Sequence, residues 1–199
     1  MLLEWVLEAA TGHRLDHWVT QEVFQPLGIE SLFFVDLEAP PRDAKFAATE
    51  LCPRRQMLLN GCVHDDNAYA VGGICGHAGL FGTAMDVHAL LQELLLTYHD
   101  RPARGLFESK YVKRLFEKRP DSDWVLGFDT PSGEGSSSGH YFSRNSVGHL
   151  GFTGTSFWMD LDRRITVVLL TNRVHPSREN QKIKSFRPQI HDAIMKNLI

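Results

Sequence analysis

The chain has 199 residues, of which 43% are hydrophobic and 23% charged. This is the composition of an ordinary globular protein, and the length allows a substantial core. A formal net charge of −3 gives no general attraction to nucleic acid or to an anionic membrane surface. No segment reaches the ~18 consecutive apolar residues of a membrane span, and Met1-Leu2-Leu3 lacks the basic region of a signal peptide. The compartment stays open between cytoplasm and periplasm.

The first third of the chain predicts two helices followed by an irregular segment. An apolar helical face begins at residue 1 and is ended by Thr11-Gly12; it comprises Leu2, Leu3, Trp5, Val6, Leu7 and Ala10. We expect this face to be buried. A second helix is predicted over Arg14–Phe24, before Pro26-Leu27-Gly28, and residues 36–62 are expected to be irregular.

The rest of the chain predicts further helices and the main strands. Residues 72–83 contain five glycines, which indicates tight turns and close backbone approach. Helices are predicted from Thr83, over Ser109–Lys118, and over 179–198 with an interruption at Pro188. Strands are predicted over Trp124–Phe128, 146–150, 155–160 and 164–172. The expected fold is α/β (α+β), with an antiparallel sheet of about three strands and helices packed against it.

The most informative stretch runs from Gly148 to Ser156, a glycine-rich strand that leads into a hairpin and a very apolar strand. His149 lies where the first strand would open onto a cleft. An imidazole there can act as a positive anchor or as a hydrogen-bond donor near neutral pH. A satisfied strand histidine is the alternative.

Four segments together resemble the C-terminal portion of the serine β-lactamase and penicillin-binding protein family, in its class C-like carboxypeptidase/esterase branch. They are residues 6–12 with 23–29, residues 63–68, residues 76–86 and the hairpin 149–172. The resemblance implies that residues 1–199 are the later part of a serine hydrolase domain. The N-terminal strands and the nucleophile helix would then be encoded elsewhere.

The resemblance implies a substrate-binding wall and an acyl-transfer reaction on an amide or ester, without a metal or cofactor. His149 matches the cationic position of the third active-site element, Gly151 the glycine against which substrate lies, and the backbone N–H of Phe152 one oxyanion-hole donor. Leu150 replaces the usual threonine, which weakens the expectation of β-lactam recognition. No Ser-x-x-Lys occurs in the chain, so no catalytic set is complete, and we expect the chain alone to be inactive.

The same reasoning predicts partners. The strand 164–172 is apolar on both faces, which is typical of a strand inside a covered sheet. If its neighbours are absent, we expect an unpaired edge that favours self-association or binding of the missing N-terminal segment. The substrate of the full-length protein would be a small molecule or a peptidoglycan-like peptide. No nucleic-acid partner and no membrane segment in this chain are expected.

Three alternatives stay open. The chain could be a non-catalytic binding or regulatory module that kept the cleft wall. It could be a metal-dependent hydrolase that uses His64, Asp65 and His77, although their spacing matches no zinc template. It could use Ser137 within Gly135-Ser136-Ser137-Ser138-Gly139, but a nucleophile elbow needs a strand before it and a helix after it.

Smaller features have plainer interpretations. Ser143-Arg144-Asn145 matches Ser-x-Asn, but it lies too close to His149 for the family's second element. We expect His77 to be buried beside the cleft. The basic residues between 178 and 187 are expected to form the solvated face of the last helix.

Overall fold

The computed structural model describes residues 1–41 and 44–199. Backbone contacts divide the chain into two compact units. Unit 1 comprises Met1–Val87 and Val174–Arg178, and unit 2 comprises His88–Arg173 and Glu179–Ile199. Among the described helices, none is both long and apolar enough to cross a membrane.

Unit 1 combines short helices and two pairs of very short strands with long irregular segments. Its helices are α1 (Leu2–Thr11), α2 (Leu15–Val19), a π-helical turn (Thr20–Phe24), α3 (Gln25–Leu27) and α4 (Asp66–Ala70). Its strands are β1 (Phe33–Phe34), β2 (Leu51–Cys52), β3 (Met57–Leu58) and β4 (Leu80–Phe81). β1 pairs with β4 and β2 with β3, both antiparallel. The second predicted helix, Arg14–Phe24, is confirmed in position, but its second half is π-helical and the helix continues to Leu27.

Helix α1 has the predicted position, but the prediction that its apolar face is buried is wrong. Leu2 and Leu3 are 76% and 73% exposed, whereas Glu4 is the buried residue of the helix. Gly12 ends α1 in the left-handed conformation, with φ 72°, as the Thr-Gly pair indicated. The helix is thus attached through a carboxylate rather than through its leucines.

An ion pair between the partly exposed Arg178 and the buried Glu50 connects residues 174–178 to the rest of unit 1. The guanidinium of Arg178 donates from Nη2 to Oε2 of Glu50 at 2.6 Å, and from Nε to both carboxylate oxygens at 2.9 Å. Nε2 of His64 lies 3.0 Å from the same Oε2. Glu50 is only 2% exposed. Arg178 is therefore an ion-pair partner, not part of a solvated helical face as predicted.

Unit 2 contains the main sheet and three helices. The helices are α5 (Ala84–Tyr98), which begins at the end of unit 1, α6 (Ser109–Leu115) and α7 (Ile183–Leu198). The strands are β5 (Trp124–Val125), β6 (Phe128–Asp129), β7 (Ser146–Leu150), β8 (Ser156–Asp160) and β9 (Ile165–Leu169). Pro188 lies inside α7 without ending it.

The sheet is antiparallel with the order β5-β6-β7-β8-β9, which confirms the predicted fold class. The three long strands lie where the sequence indicated. The predicted single strand over 124–128 is instead a hairpin, because Gly127 has a φ of 80° between β5 and β6. Within the described ranges, β9 pairs only with β8 and lies at the edge of this sheet.

One hydrophobic cluster connects the central strands to helix α7 and to the loop before β7. It is formed by Phe142, Trp158, Val167 and Met195, with Ile165 and Ile194 packed against it. Trp158 of β8 is completely buried and lies opposite Gly148 of β7. The side chains of α7 and of the loop before β7 therefore hold β7 and β8 in a fixed position over the core.

Candidate active-site wall

His149 lies near the end of β7, opposite Phe157 of β8, with its side chain exposed. Its Nδ1 is 3.0 Å from the carbonyl oxygen of Leu150. A carbonyl can only accept, so Nδ1 carries the proton in this contact and Nε2 is the nitrogen left for a ligand. The His149 side chain is thus accessible at the end of β7, rather than enclosed in the core.

Two glycines allow β7 and its turn to pack closely. A Cβ at Gly148 would lie 2.4 Å from the carbonyl oxygen of Phe157 and 2.5 Å from the indole of Trp158. A Cβ at Gly151 would lie 2.0 Å from Oγ1 of Thr155. Both positions therefore exclude a side chain for reasons of local packing, which adds to the role in substrate approach expected for Gly151.

The turn between β7 and β8 is held by its own backbone and by a buried arginine. The N–H of Gly151 donates to the carbonyl of Thr155 at 2.8 Å, and Gly154 donates to Gly151 at 3.1 Å. Nη2 of Arg187 donates to the carbonyl oxygens of Gly151 at 2.7 Å and Thr155 at 2.8 Å. The segment after His149 is thereby fixed from the side of α7.

Arg187 corrects the prediction of a solvated basic face on the last helix. The residue is only 7% exposed, and its Nε has no hydrogen-bond partner among the residues that the structure describes. Burial, together with the nearby charge of Arg173, lowers the pKa of Arg187. A guanidinium keeps its proton in such surroundings, so it can bind two carbonyl oxygens without a carboxylate.

A second arginine holds the residue that follows. Nε of Arg173 donates to the carbonyl of Phe152 at 2.8 Å, and its guanidinium lies 4.4 Å from the centroid of the Phe152 ring. Nη1 of the same arginine donates to the carbonyl of Asn180 at 3.0 Å. The ring of Phe152 is 59% exposed, yet the arginine fixes its backbone and its side chain.

The neighbouring strand carries a half-buried carboxylate that the sequence did not single out. Asp129 of β6 lies opposite Gly148 of β7, one residue from His149. Burial raises the pKa of Asp129, although the N–H of Thr130 and the charge of His149 oppose this shift. Asp129 lies near this segment because β6 pairs with β7. A two-residue strand has no periodic pattern that would reveal that pairing.

The serines that matched short motifs have structural roles. The carbonyl of Ser137 accepts a hydrogen bond from Nδ1 of the buried His191 at 2.8 Å. Residues 130–145 contain neither helix nor strand, so the context of a nucleophile elbow is missing there. Ser143 donates from Oγ to Asp160 at 2.8 Å. Within residues 1–41 and 44–199, the side-chain hydrogen bond of His149 is to the carbonyl of Leu150 and not to a serine.

The three residues considered for a metal belong to two separate hydrogen-bonded pairs, one of which includes Glu50. His64 faces Glu50, while Nε2 of His77 lies 3.0 Å from Oδ1 of Asp65. His77 is 39% exposed, so the prediction of a buried histidine is wrong. Across the described part of the chain, no group of three or more His, Cys, Asp or Glu side chains has the geometry of a metal site.

Comparison with curated proteins gives consistent relatives. Residues 1–189 match the sequence model of the family described as Beta-lactamase. A putative D-alanyl-D-alanine carboxypeptidase of Escherichia coli K12 is 33% identical over 201 residues, covering 92% of this chain and 45% of that protein. A protein with the same description from Salmonella typhi is 32% identical, covering 92% of this chain and 46% of its own length. The chain thus spans about half the length of these relatives.

Solved structures share the fold at low sequence identity. A β-lactamase from Mycobacterium bovis superposes with a TM-score of 0.65 at 18% identity, covering 98% of this chain and 60% of its own. Simvastatin synthase from Aspergillus terreus gives 0.66 at 18% identity, with 98% and 53% covered. A penicillin-binding protein from Bacillus halodurans gives 0.59 at 18% identity, with 95% and 53% covered. By sequence and by fold, the chain belongs to the β-lactamase family of serine hydrolases.

Proposed function

We propose that this chain forms the substrate-binding wall of a carboxypeptidase- or esterase-like acyl-transfer site. The proposal rests on the exposed His149, which lies directly before a turn whose carbonyls accept hydrogen bonds from Arg187 and Arg173. A backbone segment fixed in this way suits the orientation of a substrate carbonyl, because its donors need no rearrangement during the reaction.

In the proposed role, His149 presents Nε2 to the ligand and Gly151 allows the substrate to approach the strand. The N–H of Phe152 donates to the carbonyl oxygen as negative charge develops on it. The D-alanyl-D-alanine peptides named for the curated relatives are the substrate class to test first. Small esters are the second class, since Leu150 supplies an apolar contact rather than a hydroxyl.

The attacking serine of the proposed reaction comes from polypeptide outside these 199 residues. The support is the lack of any Ser-x-x-Lys in the chain and the 45–46% share of the relatives that it covers. Reading the coding frame upstream of the Met1 codon tests this directly. A Ser-x-x-Lys in that frame supports the proposal. An immediate stop codon favours a stand-alone binding module, the second candidate.

Binding can be tested on the chain as it is. N-acetyl-D-alanyl-D-alanine is titrated while the backbone amide signals are followed by NMR. We expect shifts at residues 148–152 that His149→Ala removes and the exposed control His13→Ala leaves unchanged. Shifts confined to other residues would contradict the proposed wall.

Turnover is a separate measurement. Nitrocefin, p-nitrophenyl acetate and a fluorescent penicillin should give neither hydrolysis above background nor a covalent adduct with the chain alone, because no activated serine is present. Stoichiometric acylation of any serine in the chain would refute this expectation.

The proposed partner is a second copy of the chain when the rest of the family domain is not supplied. The free side of β9 is a row of backbone donors and acceptors, and Leu170 just beyond it is 45% exposed. Size-exclusion chromatography with light scattering should show a concentration-dependent dimer. A monomer at every concentration would count against this partner.

A further inference from the structure

Away from the His149 segment, unit 1 contains a connected row of nucleophilic and titratable side chains. Sγ of Cys75 lies 3.0 Å from Nδ1 of His77, and Nε2 of His77 lies 3.0 Å from Oδ1 of Asp65. A tight turn, in which the N–H of Ala78 donates to the carbonyl of Cys75 at 3.3 Å, folds the imidazole back over the thiol. Thiol, imidazole and carboxylate thus follow one another in the order that activates a nucleophilic cysteine.

Asp65 is held in place independently of this row. It caps α4, accepting the N–H groups of Asn67 at 3.0 Å and Ala68 at 2.8 Å. Partial burial opposes its ionisation, but the bonds from Ala68 and His77 outweigh burial and lower the pKa of Asp65. The imidazole is therefore oriented by a fixed carboxylate that stays charged.

A second carboxylate approaches the thiol from the opposite side. Sγ of Cys75 donates to Oε2 of Glu4 at 3.1 Å, and the same oxygen accepts the N–H of Gly76 at 2.8 Å. The α-ammonium of Met1 lies 3.5 Å from it. Burial, and then the bond to Glu4, raise the pKa of the Cys75 thiol. Glu4 therefore favours the protonated, unreactive form of the sulfur.

The thiol has one proton and two acceptors that compete for it. While the proton points to Glu4, the imidazole of His77 cannot receive it, and no thiolate forms. Without the carboxylate charge, the proton can point to Nδ1 of His77, and Nε2–H then donates to Asp65. The state of the row thus depends on one carboxylate of α1.

Helix α1 is attached loosely enough for this dependence to matter. Glu4 is its one buried residue, whereas Leu2, Leu3 and Val6 are 63–76% exposed. A helix that buries so little apolar surface opens at low cost. Cys75 itself is 1% exposed, so a reagent reaches its sulfur only when the segment around it opens locally.

We propose that Cys75 is a modification site for soft carbon electrophiles, with His77 as the base that takes the thiol proton and Glu4 as the group that blocks it. With iodoacetamide as the probe, a bond forms between Sγ and the methylene carbon. The carbon–iodine bond breaks, iodide leaves, and the thiol proton passes to Nδ1 of His77. This site is independent of the proposed function of the His149 segment.

The decisive variant is Glu4→Gln. Glutamine keeps a carbonyl oxygen for the N–H of Gly76 but removes the negative charge beside the sulfur. Alkylation of Cys75 at about pH 7.5, followed by peptide mass spectrometry, should be about tenfold faster than in the unaltered chain. The matched control is Glu8→Gln on the same helix, whose carboxylate accepts the N–H of Leu15 at 2.9 Å. This change should leave the rate unaltered.

A second arm tests the base. Adding His77→Asn to the Glu4→Gln chain should lower the alkylation rate about tenfold, because the proton acceptor is lost. The proposal is overturned if Glu4→Gln does not react faster, or if Glu8→Gln reacts equally fast, since the cause would then be loosening of α1.

If a thermal melt shows that Glu4→Gln is not folded, the proposal is tested on the unaltered chain instead. Its Cys75 alkylation rate should then rise at higher pH than that of N-acetylcysteine measured in parallel, because Glu4 retains the proton. A rise at the same or lower pH overturns the proposal.

Discussion

Replacing the buried Glu50 by glutamine should cost unit 1 a large part of its stability. The hydrogen bond from Arg178 lowers the pKa of Glu50 from 4.5 to about 2, although burial opposes the shift. A difference of this size between the folded and unfolded states corresponds to about 3 kcal/mol at neutral pH. The Arg178 side chain is 36% exposed, so solvent screens part of this pairing and the loss should lie at or below the lower end of the about 3–5 kcal/mol of a fully buried pair.

The pH dependence of this loss follows from the sign of the shift. The folded state holds the Glu50 carboxylate ionised below the ordinary pKa of 4.5, so its contribution is complete above that pKa. It is lost as the pH falls toward the folded pKa of about 2. At about pH 4 the contribution should already be smaller by about 0.8 kcal/mol. The difference between the two proteins should shrink accordingly.

Urea unfolding followed by tryptophan fluorescence, at about pH 7 and pH 4, measures both quantities. The matched control is Glu22→Gln, an exposed glutamate of the same unit, which should change the free energy of unfolding by less than about 0.5 kcal/mol. A Glu50→Gln loss no larger than that of the control, or one that does not vary with pH, would refute the reasoning.

Three further changes test the elements around the His149 segment. Gly148→Ala should lower the free energy of unfolding by about 2 kcal/mol or more, since its Cβ would meet a strand carbonyl and an indole ring. Gly133→Ala, with open space around it, is the control in a thermal melt. Equal melting temperatures for the two variants would contradict the close packing at Gly148. Arg187→Met should speed amide hydrogen exchange at residues 151–155 and cost about 1–3 kcal/mol, whereas the exposed Lys184→Met should do neither. Burial lowers the pKa of His191 from 6.5, so on acidification the unfolded chain takes up this proton before the folded chain does. The contribution of His191 to stability should therefore be complete above pH 6.5 and fall below it. A His191→Gln chain whose unfolding free energy has the same pH slope would argue against this.

The sequence revealed the elements whose side-chain pattern is long enough to show a period. The strands 146–150 and 156–160 and the helix from residue 84 belong to this group, because their apolar spacing reflects burial on a defined face. The hairpin 124–129 was missed as a hairpin, since strands of two residues carry no period.

Burial was harder to predict than position. Leu2 and Leu3 of α1 stay largely exposed, and Glu4 is buried instead because Cys75 and Gly76 offer it donors. Arg187 shows the converse. Composition places an arginine on the solvated side of a helix, but here the carbonyls of a distant turn draw it inside. Such choices are made by tertiary partners that a local pattern does not contain.

His149, Gly151 and Phe152 were singled out through the family resemblance of the glycine-rich strand, and their role in binding stays a prediction. Arg173 and Arg187 were not singled out, because each reaches this segment from a loop or helix far along the chain. The segment can therefore be located from sequence, while the groups that hold it require coordinates.

The grip of Arg187 on the carbonyl of Gly151 has an electronic consequence one bond further on. That carbonyl and the N–H of Phe152 belong to a single amide group. A full positive charge hydrogen-bonded to the oxygen draws electron density along the conjugated C–N bond and makes the proton at the other end more acidic. In the oxyanion role proposed for the Phe152 N–H, Arg187 would therefore strengthen this donor without contacting the substrate.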